Sequence, residues 1–244
     1  MDTSLYVGLS RQVALAREFD IAAHNIANAG TVAFRGEATL FDSVIEQAGA
    51  ADPVSFVIDK ASYHDTRPGT LIETQNPLDV AIRGEGWLTV QTDQGERYTR
   101  DGRMTISEAG QLVTIAGGLP VLDVNGTPIN IDNLGGAIEI SADGVVSQKI
   151  GEFDEQIGRL ALVEFAETQL LTRQGDGLFD SPVPGQPAID SQIVQGTIEQ
   201  SNVEPIMELT RLMDVSRAFQ QAAEFIENGD ELKREAISRL GRRV

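Results

Sequence analysis

The sequence predicts an α+β fold in which a helix at each end of the chain flanks a central antiparallel β domain. Apolar residues recur every three or four positions near both ends, which is typical of helices. Glycine-containing turn signals recur at short intervals through the middle, which favours an antiparallel sheet over parallel βαβ units. We expect the terminal helices to pair as a coiled-coil layer and the β domain to be carried on extended connectors.

The N-terminal helix is predicted from about residue 4 to residue 28. Asp2, Thr3 and Ser4 offer side-chain oxygens that can cap its start. Asn28 and Gly30 tolerate the left-handed conformation that ends helices. The apolar and small residues of this segment form one narrow stripe: Leu5, Leu9, Ala16, Phe19, Ala23 and Ile26.

The C-terminal helix repeats this pattern. Ser201 or Asn202 can cap it, Pro205 suits an early helical position, and residues 228–230 are expected to interrupt it. A stripe of two heptads is too narrow for a core face, so we expect partner helices from other subunits. The residues predicted to pack in this assembly are Leu5, Leu9, Phe19, Ile26, Leu209, Leu212, Phe219 and Ile226.

The middle of the chain contains short β-prone runs separated by turns such as Asp101-Gly102 and Asn125-Gly126. Pro- and Gly-containing stretches on either side are interpreted as connectors. The predicted organisation is a helical domain of residues 1–30 plus 201–244, connectors over 31–75 and 181–200, and a β-rich domain over 76–180.

Composition excludes several classes of protein. The 244 residues include 19 basic and 37 acidic side chains, a net charge of −18, which would repel the phosphates of nucleic acid. Cysteine is absent, and His24 and His64 have no metal-ligand spacing, so we expect no metal and no cofactor. No apolar stretch is long enough to span a bilayer, and the first residues do not resemble a signal peptide.

Catalytic motifs are not found in the sequence. Gly84-Glu85-Gly86 lacks the third glycine of a dinucleotide loop, and no serine lies in a Gly-x-Ser-x-Gly elbow. The sequence therefore predicts that the chain is not an enzyme and has no small-molecule substrate. Two alternatives remain open, a secreted hydrolase and a binding module on the β scaffold. Activity screening would reveal the first, and ligand binding by the β domain alone would reveal the second.

Four segments carry motifs in a fixed order: residues 23–35 (AHNIANAGTVAFR), 76–87 (NPLDVAIRGEGW), 98–102 with 110–114 (YTRDG and GQLVT), and 199–203 with 217–219 (EQSNV and RAF). This series resembles the bacterial flagellar axial proteins, the rod and hook family. His24 stands where the family motif has Asn, and Ala33 where it has Gly. Ala tolerates a positive φ poorly, so the turn at Ala33 departs from the family pattern.

The resemblance implies a structural subunit of the flagellar basal-body rod, the drive shaft that crosses the periplasm and transmits torque. It implies contacts with adjacent rod proteins and further copies of the chain, and delivery by the flagellar type III export apparatus without a cleaved signal peptide. Residues 4–10 and the single modest β domain resemble a proximal-rod protein, with a distal-rod protein as the alternative. The residues matched to helix ends and family motifs are Asn25, Asn28, Phe34, Ser201 and Asn202.

Overall fold

The computed structural model describes residues 2–46 and 54–241. The fold is α+β, with helices at both ends and an antiparallel β region between them, as the sequence predicts. The chain divides into two compact units. The helical unit comprises Met1–Ala29, Gly36–Asp65 and Val203–Val244, and the β unit comprises Gly30–Arg35 and Thr66–Asn202.

Two helices, α1 (Asp2–Ala27) and α2 (Pro205–Gly241), pack against each other in the helical unit. They run antiparallel, because Glu18 pairs with Arg211 whereas Gly8 lies against Ile226. At 1.5 Å per residue they are about 39 and 55 Å long. The interruption expected at residues 228–230 is wrong: α2 is continuous, because one glycine costs a helix only about 1 kcal/mol and helix-forming residues follow it.

A β-hairpin completes the helical unit. Strands β1 (Glu37–Glu46) and β2 (Val54–His64) pair antiparallel, with Glu37 opposite His64 and Glu46 opposite Val54. The register shifts by one residue between Leu40 and Phe41. The sequence predicts a connector here, and the described parts of that range instead form a paired hairpin, while residues 47–53 lie outside the described residues.

The β unit contains fifteen further described strands, all paired antiparallel. They are β3 (Leu71–Glu73), β4 (Val80–Arg83), β5 (Trp87–Thr92), β6 (Gly95–Thr99), β7 (Met104–Ile106), β8 (Leu112–Thr114), β9 (Ile138–Ile140), β10 (Val145–Ile150), β11 (Phe153–Arg159), β12 (Leu162–Glu164), β13 (Thr172–Arg173), β14 (Leu178–Asp180), β15 (Gln186–Pro187), β16 (Gln192–Gln195) and β17 (Thr197–Glu199). A six-stranded sheet has the order β13-β14-β6-β5-β12-β15, a three-stranded sheet has β11-β10-β9, and three pairs join β16 to β4, β17 to β3 and β7 to β8.

The core of the β unit is mainly aliphatic. Its centre includes Val80, Leu88, Leu112, Val121 and Val146, each fully buried. A second, aromatic cluster joins Trp87, Tyr98, Leu171 and Phe179, and the rings of Trp87 and Phe179 meet edge to face at 4.8 Å. This burial of aliphatic side chains supplies most of the favourable free energy of the unit.

Several strands fall where the sequence predicts none. The hairpin of β10 and β11 turns at Gly151, whose φ of 67° suits a two-residue hairpin loop. The connector predicted over 181–200 contains β15, β16 and β17. Residues 121–123 form only isolated bridges. Strands β16 and β17 pair with β4 and β3, which lie more than 100 residues earlier in the sequence, so no local turn signal reveals them.

Candidate assembly surface

The predicted packing residues divide between half-buried and exposed positions on α1 and α2, and one of them, Ile226, lies against Gly8 of α1. Leu9 and Leu209 remain 52% and 48% exposed, and Phe19 is also exposed. The half-buried members of the set are Ile26, Leu212, Phe219 and Ile226. Leu5 belongs to α1, but its side chain lies outside the described part of the structure.

Gly8 of α1 lies against Ile226 of α2 in the seam between the two helices. Ala14, Ala22 and Ala222 are buried, as are Ile21 and Val215. Small side chains allow the two helix backbones to approach closely. An ion pair flanks this seam, with Arg211 donating to Glu18 Oε1 from Nε at 3.0 Å and from Nη2 at 2.8 Å.

Large apolar side chains lie on the exposed sides of both helices. The outer α1 row is Tyr6, Leu9 and Val13, and the outer α2 row is Ile206, Leu209 and Met213. Each row follows i, i+3, i+7 spacing, which places its members on one side of a helix. Exposed apolar side chains that share one side of a helix are typical of helices that pack against other proteins.

A groove of about 430 Å³ opens beside the start of α2. Its apolar lining comes from Met207, Val215 and Ala218, and its polar edge from Glu18, Thr210, Arg211 and Asp214. It lies entirely within the helical unit. The exposed outer rows lie in the same unit.

Asn25 fixes the start of the hairpin to the end of α1. Its side chain is buried, its Nδ2 donates to the Glu37 carbonyl at 2.8 Å, and its Oδ1 accepts from the Glu37 amide at 2.9 Å. Asn28, by contrast, is bonded near the surface, with Nδ2 donating to the His24 carbonyl. The two asparagines of the motif therefore hold α1 to β1 and close the helix end.

In the β unit, the other motif residues meet around Phe34. Ala33 has a φ of 56°, so the position where the family motif has Gly is left-handed here. The Phe34 ring is buried beneath the Arg173 guanidinium, 4.2 Å from its centroid. Asn202 donates from its backbone to the Phe34 carbonyl and from Nδ2 to the Arg67 carbonyl, and Ser201 precedes it in the same half-buried segment. Because α2 begins at Pro205, Ser201 and Asn202 lie before its first turn.

A buried ionic cluster lies at the same end of the β unit. Glu199 Oε1 pairs with Arg35 Nη2 at 2.8 Å, and Glu199 Oε2 lies 3.5 Å from Arg100 Nη1. Glu199 Oε1 also accepts from the Gly69 amide, and Arg35 donates to the Arg67 carbonyl. The cluster therefore ties together segments that are distant in the sequence.

The buried charges of this cluster do not cancel, because one buried carboxylate faces two buried guanidinium groups. Desolvation, reinforced by the neighbouring Arg35 charge, lowers the pKa of Arg100 to about 10 despite the opposing effect of Glu199. The sequence does not single out Arg35, Arg100 and Glu199 individually, although each lies in one of the four family motifs. The signal for the cluster in the sequence was that each of three separate motifs contains one of these ionisable residues.

The described residues contain no group of three or more His, Asp or Glu side chains placed to hold a metal ion. Within the same part of the chain, neither helix has the length and apolar character needed to cross a membrane.

The sequence matches known proteins over almost its full length. It is 42% identical to the flagellar basal-body rod protein FlgF of Caulobacter vibrioides, with 99% of both chains covered. The chain belongs to the flagellar basal-body rod protein family. It is also 39% identical to FlgF of Mesorhizobium japonicum, with 99% of both chains covered, and 29% identical to the rod protein FlgG of Bacillus subtilis, with 96% of this chain and 98% of that protein covered.

The family's domains correspond to parts of both units. Residues 81–148 match the flagellar hook protein FlgE/F/G D1 domain and lie in the β unit. Residues 194–239 match the flagellar basal body rod FlgEFG protein C-terminal region, which here runs from β16 through most of α2. The names of these relatives describe structural parts of the basal body, in agreement with the resemblance found in the sequence.

Proposed function

We propose that this chain is a structural subunit of the proximal rod of the flagellar basal body and builds the torque-transmitting shaft through its terminal helices. The observation that carries the proposal is the pair of exposed apolar rows on α1 and α2. These rows remain uncovered after the two helices have packed on each other. Covering them with helices of neighbouring subunits would remove apolar surface from water.

In this proposal α1 and α2 form the inner coiled-coil layer, and residues 76–180 form an outer domain. The packing set predicted from the sequence divides accordingly. Leu9, Phe19 and Leu209 would contact neighbouring subunits, whereas the half-buried Phe219 and Ile226 would serve both the internal seam and the assembly. A heterologous contact between such surfaces does not close on itself and produces an open helical series of subunits.

The proposed partners are adjacent proximal-rod and distal-rod proteins and further copies of this chain. We propose delivery by the flagellar type III export apparatus without a cleaved signal peptide, and a final location in the rod within the periplasm. The proximal rather than distal position is supported by the relatives: two named FlgF match at 42% and 39% identity over 99% of this chain, whereas two named FlgG match at 29% over 96% and at 34% over 67% of it.

The test is to replace Leu9 by Lys in cells whose only copy of the chain is the variant. Leu9 is half exposed, so the monomer should fold, but a charge within the outer α1 row should exclude the chain from purified basal bodies and abolish swimming. The matched control is Ile189→Lys, which adds the same charge at an 88% exposed position of the β unit. Normal incorporation of the Leu9→Lys chain would overturn the proposal.

A further inference from the structure

A turn at residues 123–127 of the β unit contains Asn125-Gly126, one of the two Asn-Gly pairs in the sequence. Residues 124–127 are exposed, so water reaches the turn. Asn-Gly pairs are prone to deamidation, because glycine has no side chain to hinder attack by its backbone nitrogen on the preceding asparagine side chain. The turn therefore holds two groups that can react with each other without a catalyst.

Deamidation at this pair proceeds through a cyclic succinimide. The backbone nitrogen of Gly126 bonds to Cγ of Asn125, and Nδ2 leaves as ammonia with the proton that the Gly126 nitrogen gives up. Water then opens the ring at either of its carbonyl groups. One product is aspartate, and the other is isoaspartate, in which the main chain runs through the side-chain carboxyl carbon. Ring closure requires a free Gly126 amide and an Asn125 side chain that can turn toward it.

In the folded turn, Asp123 blocks both requirements. The Gly126 amide donates a hydrogen bond to the Asp123 carbonyl at 2.9 Å. Asn125 Nδ2 donates to Asp123 Oδ2 at 2.9 Å, and the Asn125 amide donates to Asp123 Oδ1 at 2.9 Å. The nitrogen that would attack and the nitrogen that would leave are thus both bonded to one residue.

The Asp123 carboxylate also closes the far side of the turn. Thr127 donates to Asp123 Oδ1 from its amide at 2.9 Å and from its hydroxyl at 3.0 Å. The Asp123 amide donates to the Thr127 carbonyl at 2.8 Å, and a bridge joins Asp123 to Leu160. Opening the turn breaks several of these bonds together. The rate of a reaction that needs the open turn follows the population of that open form.

We propose that Asn125 is a deamidation site whose rate is set by Asp123, and that its modification opens the turn irreversibly. Neither product retains the Nδ2 group that bonds to Asp123 Oδ2. The new carboxylate lies close to the Asp123 carboxylate, and like charges repel each other. One modification therefore removes the contacts that had restrained the turn. This inference concerns the covalent chemistry of the β unit and does not depend on the proposed function.

The second Asn-Gly pair provides an internal comparison. Asn228-Gly229 lies within α2, where helical hydrogen bonding engages the Gly229 amide. The helix, and not a neighbouring carboxylate, therefore protects this pair. A substitution at Asp123 should leave the reaction of Asn228 unchanged, whereas general unfolding should accelerate the reaction at both asparagines.

The test is to age the full-length protein in mildly alkaline buffer and to follow both asparagines by peptide mapping with mass spectrometry. The turn must release two hydrogen bonds worth about 1 kcal/mol each, which corresponds to about a thirty-fold lower rate. We therefore expect Asn125 to react about ten- to thirty-fold more slowly in the folded protein than in guanidinium chloride.

Asp123→Ala removes the carboxylate but keeps the carbonyl that accepts from Gly126. Loss of the bond to Asn125 Nδ2 should accelerate the reaction of Asn125 about five-fold and leave that of Asn228 unchanged. The matched control is Asp190→Ala, which removes the same side chain at another exposed position of the β unit and should change neither rate. Equal rates for Asn125 in the folded and unfolded chain would overturn the inference. An Asn125 rate that Asp123→Ala does not raise, or raises only together with that of Asn228, would also overturn it.

A second measurement tests the opening of the turn. The deamidated fraction of the aged protein, separated by ion exchange, should unfold at a lower urea concentration than the unmodified fraction. Asn125→Gln is the control, because glutamine cyclises much more slowly through its longer side chain, and its urea midpoint should not change on ageing. If the deamidated and unmodified fractions unfold at the same urea concentration, the modification does not open the turn and the inference is wrong.

Discussion

Glu199 and Arg35 form a buried ion pair in the β unit, with Oε1 of the carboxylate 2.8 Å from Nη2 of the guanidinium. The same carboxylate lies against Arg100 and accepts a hydrogen bond from the Gly69 amide. One anion thus compensates two buried cations. The cluster consequently depends more on Glu199 than on either arginine.

Replacing Glu199 by Gln should destabilise the β unit by about 3–5 kcal/mol, because two guanidinium groups would remain buried without an anion. The single tryptophan, Trp87, lies in this unit and reports its unfolding by fluorescence in urea. Glu96→Gln, at an exposed position of β6, should change the stability by less than about 0.5 kcal/mol. If Glu199→Gln lowers the free energy of unfolding by less than about 1 kcal/mol, Glu199 is not the main charge that compensates Arg35 and Arg100.

Replacing Gly69 by Ala should destabilise the β unit by about 1–3 kcal/mol. A Cβ at this position would lie 1.9 Å from the backbone oxygen of Gln200, which cannot move without disturbing the segment beside β17. The control is Gly175→Ala, where an added Cβ meets nothing within 4 Å. Equal urea midpoints for the two variants would contradict the close approach.

Replacing Asn25 by Ala should destabilise the helical unit by about 2–3 kcal/mol, because both backbone groups of Glu37 lose their partner at a buried position. Hydrogen exchange at the Glu37 amide should accelerate more than at neighbouring amides. Asn28→Ala removes an exposed hydrogen bond and should cost less than about 1 kcal/mol. Unchanged exchange at Glu37 would mean that Asn25 does not hold the hairpin.

Replacing Ala33 by Gly should stabilise the β unit by about 0.5–1 kcal/mol. A left-handed conformation costs an L-residue about 1–2 kcal/mol, and the greater freedom of glycine in the unfolded chain offsets part of that gain. Thermal unfolding of the variant measures the difference. A clear loss of stability would mean that the buried Ala33 methyl group contributes more through packing than its φ costs.

The carboxyl group of Asp123 should have a pKa below that of an ordinary aspartate. Desolvation raises the pKa of Asp123, but hydrogen bonds from Thr127 and Asn125 outweigh it and lower that pKa from 3.8. The stabilisation by this carboxylate is therefore complete above about pH 4 and is lost as the pH falls through the folded-state pKa. NMR titration of Asp123 should give a midpoint below 3.8, and Thr127→Val should raise it. A midpoint unaffected by Thr127→Val would contradict this role of the hydrogen bonds.

The sequence predicts the helices and much of the central sheet well because their signals are local. Three- and four-residue spacing identifies α1 and α2, and Asn125-Gly126 marks a tight turn between the bridged residues Leu122 and Pro128. The hairpin of β1 and β2 escapes prediction because the Gly, Ala and Pro residues near its middle suggest a connector. Its strands become evident only through their pairing with each other.

The candidate assembly residues were only partly predictable for a related reason. A periodic stripe shows which residues share a side of a helix, but not whether that side faces the partner helix or solvent. Ala14, Ala22 and Ala222 are buried, whereas Leu9 and Leu209 remain exposed. The Glu199 cluster could not be assembled from sequence because its charges come from distant parts of the chain.

The pairing of Glu18 with Arg211 joins residues 193 positions apart. Contacts of such long sequence separation form late, since loop-closure entropy opposes them until the intervening chain has become compact. During synthesis the first helix is made long before its partner emerges, whereas the β unit needs only residues up to 202. We expect the nascent β unit to fold first and to shorten the effective loop, so that the two helices pair only after the last residues have been added.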